Sequence, residues 1–374
     1  MKKRIRFSGF VAIAVIGFLL AACGGSSGGL FMPPNNGGGG GGSGGGTTDL
    51  CTSGHDFGSW VFVAATCTEA GKDERTCSVC GQKESQNSIS NPAKGHNWSN
   101  GFCSVCDVIE EMIYVEGGSF QYGMNGSLPA GITLSEKSFY IGKYEVTQEQ
   151  YEAVMGVNPS YFIVGSIYSD INNKEIAPGE IQKRRPVEWV SWYNAIVFCN
   201  KLSMKEDRSP AYRMPGYGNS TDPAFWGAVP TSNDIIWNAV EIVPDSKGYR
   251  LPTSRQWEYA AKGGRKSAGY PGGPYYIYSG SNNPGEVAWY EDNSNDGTTI
   301  KSHQVGKLTA NELGIYDMSG NVFEWCFDWY SSGYSRMLCG GFWWTSAENL
   351  CLIYRSGGGT GEMGPMAGFR VVRP

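Results

Sequence analysis

Histidine is almost missing from this chain, at three residues in 374. Two of them, His55 and His96, fall in one short stretch, so imidazole chemistry is concentrated there and scarce elsewhere. A basic excess is missing too. Lys and Arg number 30 against 35 Asp and Glu, a net charge of -5, which excludes the electrostatic footprint of a nucleic-acid binder. Charged residues make up only 17% while aromatics reach 13%, a balance that favours an aromatic-rich core with many loops. No long hydrophobic run is present. The apolar stretch at residues 10–20 is too short for a comfortable membrane span. A βαβ rhythm is also absent, which points away from a parallel sheet and toward an irregular α+β fold with few helices.

What is present begins with that apolar stretch. Lys2, Lys3, Arg4 and Arg6 precede it, and it ends in LAAC at residues 20–23. This resembles a bacterial lipobox, where the signal segment, residues 1–22, is removed and the thiol of Cys23 is acylated. Acyl chains would then hold the protein on a membrane surface. The expected location is the cell envelope, lipid-anchored and facing outward. Residues 23–49 are nearly all Gly and Ser after the Cys, with Pro33-Pro34 and Asn35-Asn36. Such a segment cannot bury enough apolar surface to offset its ordering entropy, so it reads as a tether.

Residues 50–108 carry a degenerate repeat. GHDF (54–57) and GHNW (95–98) are each followed by the same tetrapeptide, CSVC, at 77–80 and 103–106. Cys51, His55, Cys67, Cys77, Cys80, His96, Cys103 and Cys106 supply enough ligands for two tetrahedral zinc sites. Disulfides are the competing reading, permitted by an exported location. In both readings the role is structural, because so small a segment needs staples.

Residues 112–374 form the large domain. Alternation predicts a strand over residues 139–146. Thr147 reads as the N-cap of a helix reaching 155, with Glu149 and Gln150 in its first turns. Trp192, Ala195, Ile196, Cys199 and Leu202 follow helical spacing, which predicts an amphipathic helix over 191–204. A third helix is expected over 253–262, stopped by Gly263-Gly264.

Several blocks in this domain resemble the formylglycine-generating-enzyme (sulfatase-modifying-factor) family. They are YEVTQEQY (144–151), PVEWVSW (186–192), YRLPT (249–253), QWEYAA (256–261), NELGIYDMSGNVFEW (311–325) and GFR (368–370). The resemblance implies that family's irregular C-type-lectin-like fold. It also implies a calcium site made by Asp317 and Glu324 with the carbonyls of Gly320 and Val322, hard oxygen ligands on a flexible turn. The plainer alternative is that the two carboxylates satisfy buried backbone donors.

The same resemblance implies that the enzyme holds copper through two cysteines of its last segment, since soft Cu(I) requires both thiolates. Alignment on Gly340-Gly341 places Thr345 at the first of these positions, and alignment on CLIYR (351–355), after a one-residue insertion, places Cys351 at the second. With one thiolate missing, copper and catalysis are not expected. Instead the segment 336–370 resembles the variable regions of proteins diversified by retroelements, which use this fold, some of them as surface lipoproteins; a treponemal variable protein is a close type case. Scaffold residues Arg336, Gly340, Gly341, Trp343, Arg355, Gly368, Phe369 and Arg370 alternate with unusual ones. Changes at the adenines of Asn codons would yield Phe342, Thr345, Ser346, Leu350, Leu352, Ile353 and the SGGGTG run at 356–361; Trp344, Met363 and Met366 would need Lys or Arg codons instead. The expected ligand-binding face is therefore Met337, Cys339, Phe342, Trp344, Thr345, Ser346, Leu350, Leu352, Ile353 and Ser356, offered to a protein or cell-surface ligand. The alternative function is a copper-dependent oxidase of the same fold.

Overall fold

In the computed structural model, described residues are 112–123, 132–163, 176–267, 269–270, 275–295 and 300–374 of the large domain. Ahead of it, short pieces at 56–57, 61–63, 72–78, 83–87, 98–99 and 102–103 are described. In that leading part Val61–Val63, Lys72–Thr76 and Lys83–Asn87 form an antiparallel three-stranded sheet. Cys77 is buried, and its backbone bridges to Phe57. Cys103 is placed only by its backbone pairing with Trp98. Cys51, His55, Cys67, Cys80, His96 and Cys106 lie outside the described residues, as do Cys23, the signal segment and the tether.

The large domain opens with strand β1 (Met112–Val115), the hairpin β2 (Gly118–Tyr122) and β3 (Ile132–Glu136), and β4 (Phe139–Gly142). Strand β4 stops four residues before the predicted end, and residues 144–146 run on as loop to the first helix. There Val146 exchanges backbone hydrogen bonds with Phe369 and Val187 rather than with a ladder neighbour.

Three helices of eight or more residues follow among the described residues, and each starts where a capping residue stands. Helix α1 (Gln148–Met155) is capped by Thr147, α2 (Trp192–Lys205) by Ser191, and α3 (Ser254–Ala261) by Thr253. In each a hydroxyl accepts the N–H three residues on, and the side chain at that position returns a bond to the cap's own backbone. Helix α2 is buried along most of its length, with Trp192, Ala195, Ile196, Cys199 and Leu202 all in the larger core cluster. Among the described residues no helix is long and apolar enough to cross a membrane.

The second half is mostly loop, held by short pairings. β5 (Tyr212–Arg213) pairs with β6 (Glu241–Ile242), and β7 (Ala288–Trp289) runs parallel to β8 (Ser319–Gly320). The main sheet contains β9 (Phe323–Ser331), β10 (Ser335–Cys339), β11 (Arg355–Gly359) and β12 (Ala367–Gly368) in the order β11-β10-β9-β12. β9 and β10 form a hairpin whose register slips twice beyond Trp325. The last strand, β13 (Val372–Arg373), pairs with β4, which pairs with β1. The C-terminal end of the domain is thereby closed against its start. This is the α+β, C-type-lectin-like arrangement that the motifs implied.

Candidate functional site

The segment 336–370 enters on β10, where Arg336 and Leu338 point inward and Met337 is half-buried. The Arg336 guanidinium lies between two indoles, 3.8 Å from the Trp192 ring centre and 3.4 Å from that of Trp329. It donates to the Phe327 carbonyl at 2.7 Å, and burial lowers its pKa to about 10. Two glycines with positive φ, Gly340 at 93° and Gly341 at 77°, then turn the chain off the strand. The positive φ of Gly341 favours glycine there, and a Cβ would also stand 2.6 Å from the Leu350 Cδ2 methyl, which would have to shift. Residues 342–345 close a tight turn. Phe342 N–H donates to Thr345 Oγ1 at 2.9 Å, and Thr345 N–H returns a bond to the Phe342 carbonyl at 2.8 Å. The segment is pinned again at Arg355, which donates to the carbonyls of Leu352 and Tyr354 and pairs with Glu258 of α3.

Between these anchors an aromatic row reaches the surface. Trp343 is buried and donates its indole N–H to the Pro365 carbonyl at 3.0 Å. Trp344 stacks nearly parallel on it, 6.0 Å between ring centres, and is 51% exposed. Phe342 packs on Phe323, and Tyr354 stacks over the same ring. Tyr330 is exposed on β9, close against Gly357 of β11, and Tyr334 stands 73% exposed in the β9–β10 turn.

The ten residues expected on the face divide in two. Trp344 is exposed, and Met337, Phe342, Ser346, Ile353 and Ser356 are half-buried at the surface. Cys339, Thr345, Leu350 and Leu352 are buried, and the structure corrects the expectation for these four. Leu350 packs with Tyr278, Val287 and Ala288, while Leu352 joins the cluster around Trp257. Thr345 closes the turn through its hydroxyl, and Cys339 faces Cys326 across the hairpin. Sequence reasoning passed over Tyr330 and Tyr334. Their signal was two tyrosines flanking the Ser-Ser-Gly turn of a hairpin, where side chains project past the sheet.

Beneath the face lies a buried cluster of charge. Glu145, Asp317, Glu324 and Arg370 are all buried. Arg370 grips Glu324 through two bonds of 2.8 and 2.7 Å, and the Trp257 indole adds a third at 2.8 Å. Glu324, expected as a calcium ligand, is thus already engaged with a cation. Asp317 accepts the Gly306 N–H at 2.7 Å through Oδ2, while Oδ1 is buried with no hydrogen-bond partner. Burial drives the Asp317 pKa up to about 6. Burial, and then the neighbouring Asp317 and Glu324 charges, push Glu145 well above the carboxylate range. Glu145 accepts from Asn321 Nδ2 at 2.8 Å and from the Val322 N–H at 3.2 Å, so Asp317 Oδ1 is the carboxylate oxygen of this cluster left without a partner, and it is the atom a divalent cation would take. Gly320 serves chain packing here, because a Cβ on it would meet the Trp289 carbonyl at 2.1 Å. Among the described residues no three or more His, Cys, Asp or Glu side chains are grouped to hold a metal, so a cation at Asp317 would need backbone carbonyls such as those of Gly320 and Val322. The two positions matched to the enzyme family's copper thiolates carry the Thr345 hydroxyl, already bonded to backbone, and Cys351. That pair does not fit a soft Cu(I) site.

Comparison with known proteins matches residues 104–374 to the sulfatase-modifying factor enzyme 1-like domain. A protein of Paenibacillus barcinonensis named chaperone protein LppX is 40% identical over 284 residues, covering 71% of this chain and 90% of the relative. A formylglycine-generating enzyme of Thermomonospora curvata is 27% identical over 243 residues, covering 60% of this chain and 74% of the enzyme. The solved structure of Treponema denticola variable protein 1 superposes with a TM-score of 0.60 at 37% identity, covering 70% of this chain and 95% of that one.

Proposed function

The chain belongs to the sulfatase-modifying factor enzyme 1-like family, and from that premise we propose that it is a noncatalytic binding protein displayed at the cell surface. Its ligand is held on the face made by segment 336–370. The observation that carries this reading is the alternation along that segment. Arg336, Gly340, Gly341, Trp343 and Arg355 are locked into the scaffold, whereas Met337, Phe342, Trp344, Ser346, Ile353 and Ser356 reach the surface between them. A rigid frame with free choice on its face suits recognition. Trp344, stacked on Trp343, and the exposed Tyr330 and Tyr334 of the β9–β10 hairpin supply apolar contact area of the kind that marks a binding surface. Similarity to a variable protein of Treponema denticola supports diversification of the face. An acylated Cys23 and the Gly-rich tether would carry the domain outward from a membrane. A calcium ion at Asp317 would brace the loops beneath the face, and zinc or disulfides would staple the Cys/His-rich module.

The test is a displayed library in which each of residues 337–356 is randomised in turn and selected only for folded display. The six surface positions should accept most residue types, and Cys339, Thr345, Leu350 and Leu352 few. Equal restriction at both sets would mean that the face is core and end the proposal. The purified parent, supplied with copper, oxygen and a Cys-containing sulfatase peptide, should leave the peptide thiol unchanged. Formylglycine in that peptide would establish the oxidase instead. A near-copy of the gene's 3′ end, rich in AAC codons and beside a reverse transcriptase, would add the diversification.

A further inference from the structure

The sulfurs of Cys326 and Cys339 approach each other to 3.6 Å. Both side chains are fully buried. Their closeness follows from the hairpin. Glu324 stands opposite Cys339 and Trp325 opposite Leu338, so Cys326 is the diagonal neighbour of Cys339 on the same face of the sheet. The register breaks just beyond Trp325, and such an irregularity sharpens the local twist and draws the diagonal in. The two cysteines share a core cluster with Trp257, Met318 and Leu352, and the Arg355 guanidinium is close enough to interact with both sulfurs. As thiols they share one weak contact, and the Cys326 S–H otherwise finds only the Glu324 carbonyl at 4.0 Å.

We propose that Cys326 and Cys339 form a disulfide that braces β9 to β10 directly under the binding face. Cys339 is the last residue of β10, immediately ahead of the Gly340-Gly341 turn, so the bond would fix the root of the loop carrying Phe342 and Trp344. Closing it needs the sulfurs to approach from 3.6 Å to about 2.0 Å, a movement within reach of χ1 rotation and strand adjustment. The oxidant is another disulfide, of a small thiol or of a protein. One cysteine, as thiolate, attacks that disulfide to give a mixed disulfide and expels one thiolate. The second cysteine then displaces the other thiol. Two electrons pass to the oxidant and two protons leave the cysteines. Because both thiols are buried in the folded chain, the exchange belongs to folding, before the hairpin seats against α3.

The experiment refolds the full chain in a glutathione redox buffer, then denatures it with iodoacetamide and no reductant. Trypsin cuts at Arg336, between the two cysteines, so a disulfide joins two separate peptides. Fragment ions should assign the link to Cys326 and Cys339, while Cys199 is alkylated. Reduction should lower the melting temperature by roughly 5 °C or more. The same reduction should leave the melting transition of the large domain unmoved in Cys326→Ala/Cys339→Ala. Full alkylation of both cysteines in the refolded wild type would overturn the proposal, and so would a link from either one to a different cysteine. The wild-type peptide map decides the matter even if the double variant does not fold. Its failure would leave the proposed binding function standing, since that reading is tested by tolerance at the exposed positions.

Discussion

The helices and the C-terminal segment of this domain keep their backbones in place by opposite means. Helices α1, α2 and α3 satisfy their own first N–H groups through Thr147, Ser191 and Thr253, and hold themselves by local bonds. Segment 336–370 has short strands and long turns, and residues far away fasten it. Trp192 and Trp329 clasp Arg336, Glu258 holds Arg355, and Glu324 holds Arg370. The difference teaches where tolerance can reside. A surface can vary freely only where the frame beneath it does not depend on the varying side chains.

Four measurements would break or sharpen that contrast. The largest effect is expected at Arg370→Ala, which leaves Glu324 buried without its cation. Loss of one partner from a buried pair costs about 3–5 kcal/mol, enough to unfold a marginal domain, and urea denaturation should show it. A loss below about 1 kcal/mol would mean that the C-terminal segment does not rest on its buried ion pairs. Next comes the cation at Asp317. A chelator should lower the melting temperature of the wild type by several degrees, because an ion bound only by the folded state stabilises it by mass action. Asp317→Asn should remove that sensitivity to chelator. An identical melting curve with and without chelator in the wild type would reject the ion. Third, Ser191→Ala should cost about 1 kcal/mol, the usual worth of a side-chain cap, measurable as a shift in denaturation midpoint. Smallest of all is Trp344→Asn on the exposed face, expected to change stability by no more than about 0.5 kcal/mol. A large loss there would collapse the distinction between frame and face.

The helices were legible because a cap and a period are local properties. A hydroxyl three residues ahead of a polar side chain, followed by apolar residues at helical spacing, needs no knowledge of the rest of the chain. The anchors of the C-terminal segment were legible as motif residues, Arg336, Gly340, Gly341, Trp343 and Arg355, although not with their partners. Reading the remaining residues as one exposed set failed at Cys339, Thr345, Leu350 and Leu352. Burial in a loop follows no period, so nothing in the order of residues distinguishes Leu350, packed on Tyr278, from Ile353 at the surface. Tyr330 and Tyr334 were overlooked for the same reason, since their exposure depends on how far the β9–β10 hairpin extends past its neighbours.

The sequence by itself determined the family, the three helix starts and the absence of a basic nucleic-acid footprint. Each of these is carried by residue identity or by spacing along the chain. Only the tertiary structure decided which residues of 336–370 face outward, that Glu324 spends its charge on Arg370, and that Cys326 lies beside Cys339. These are long-range juxtapositions. They arise from the β9–β10 register and from the packing of α3 beneath it, and a contact of that kind is a property of the folded chain.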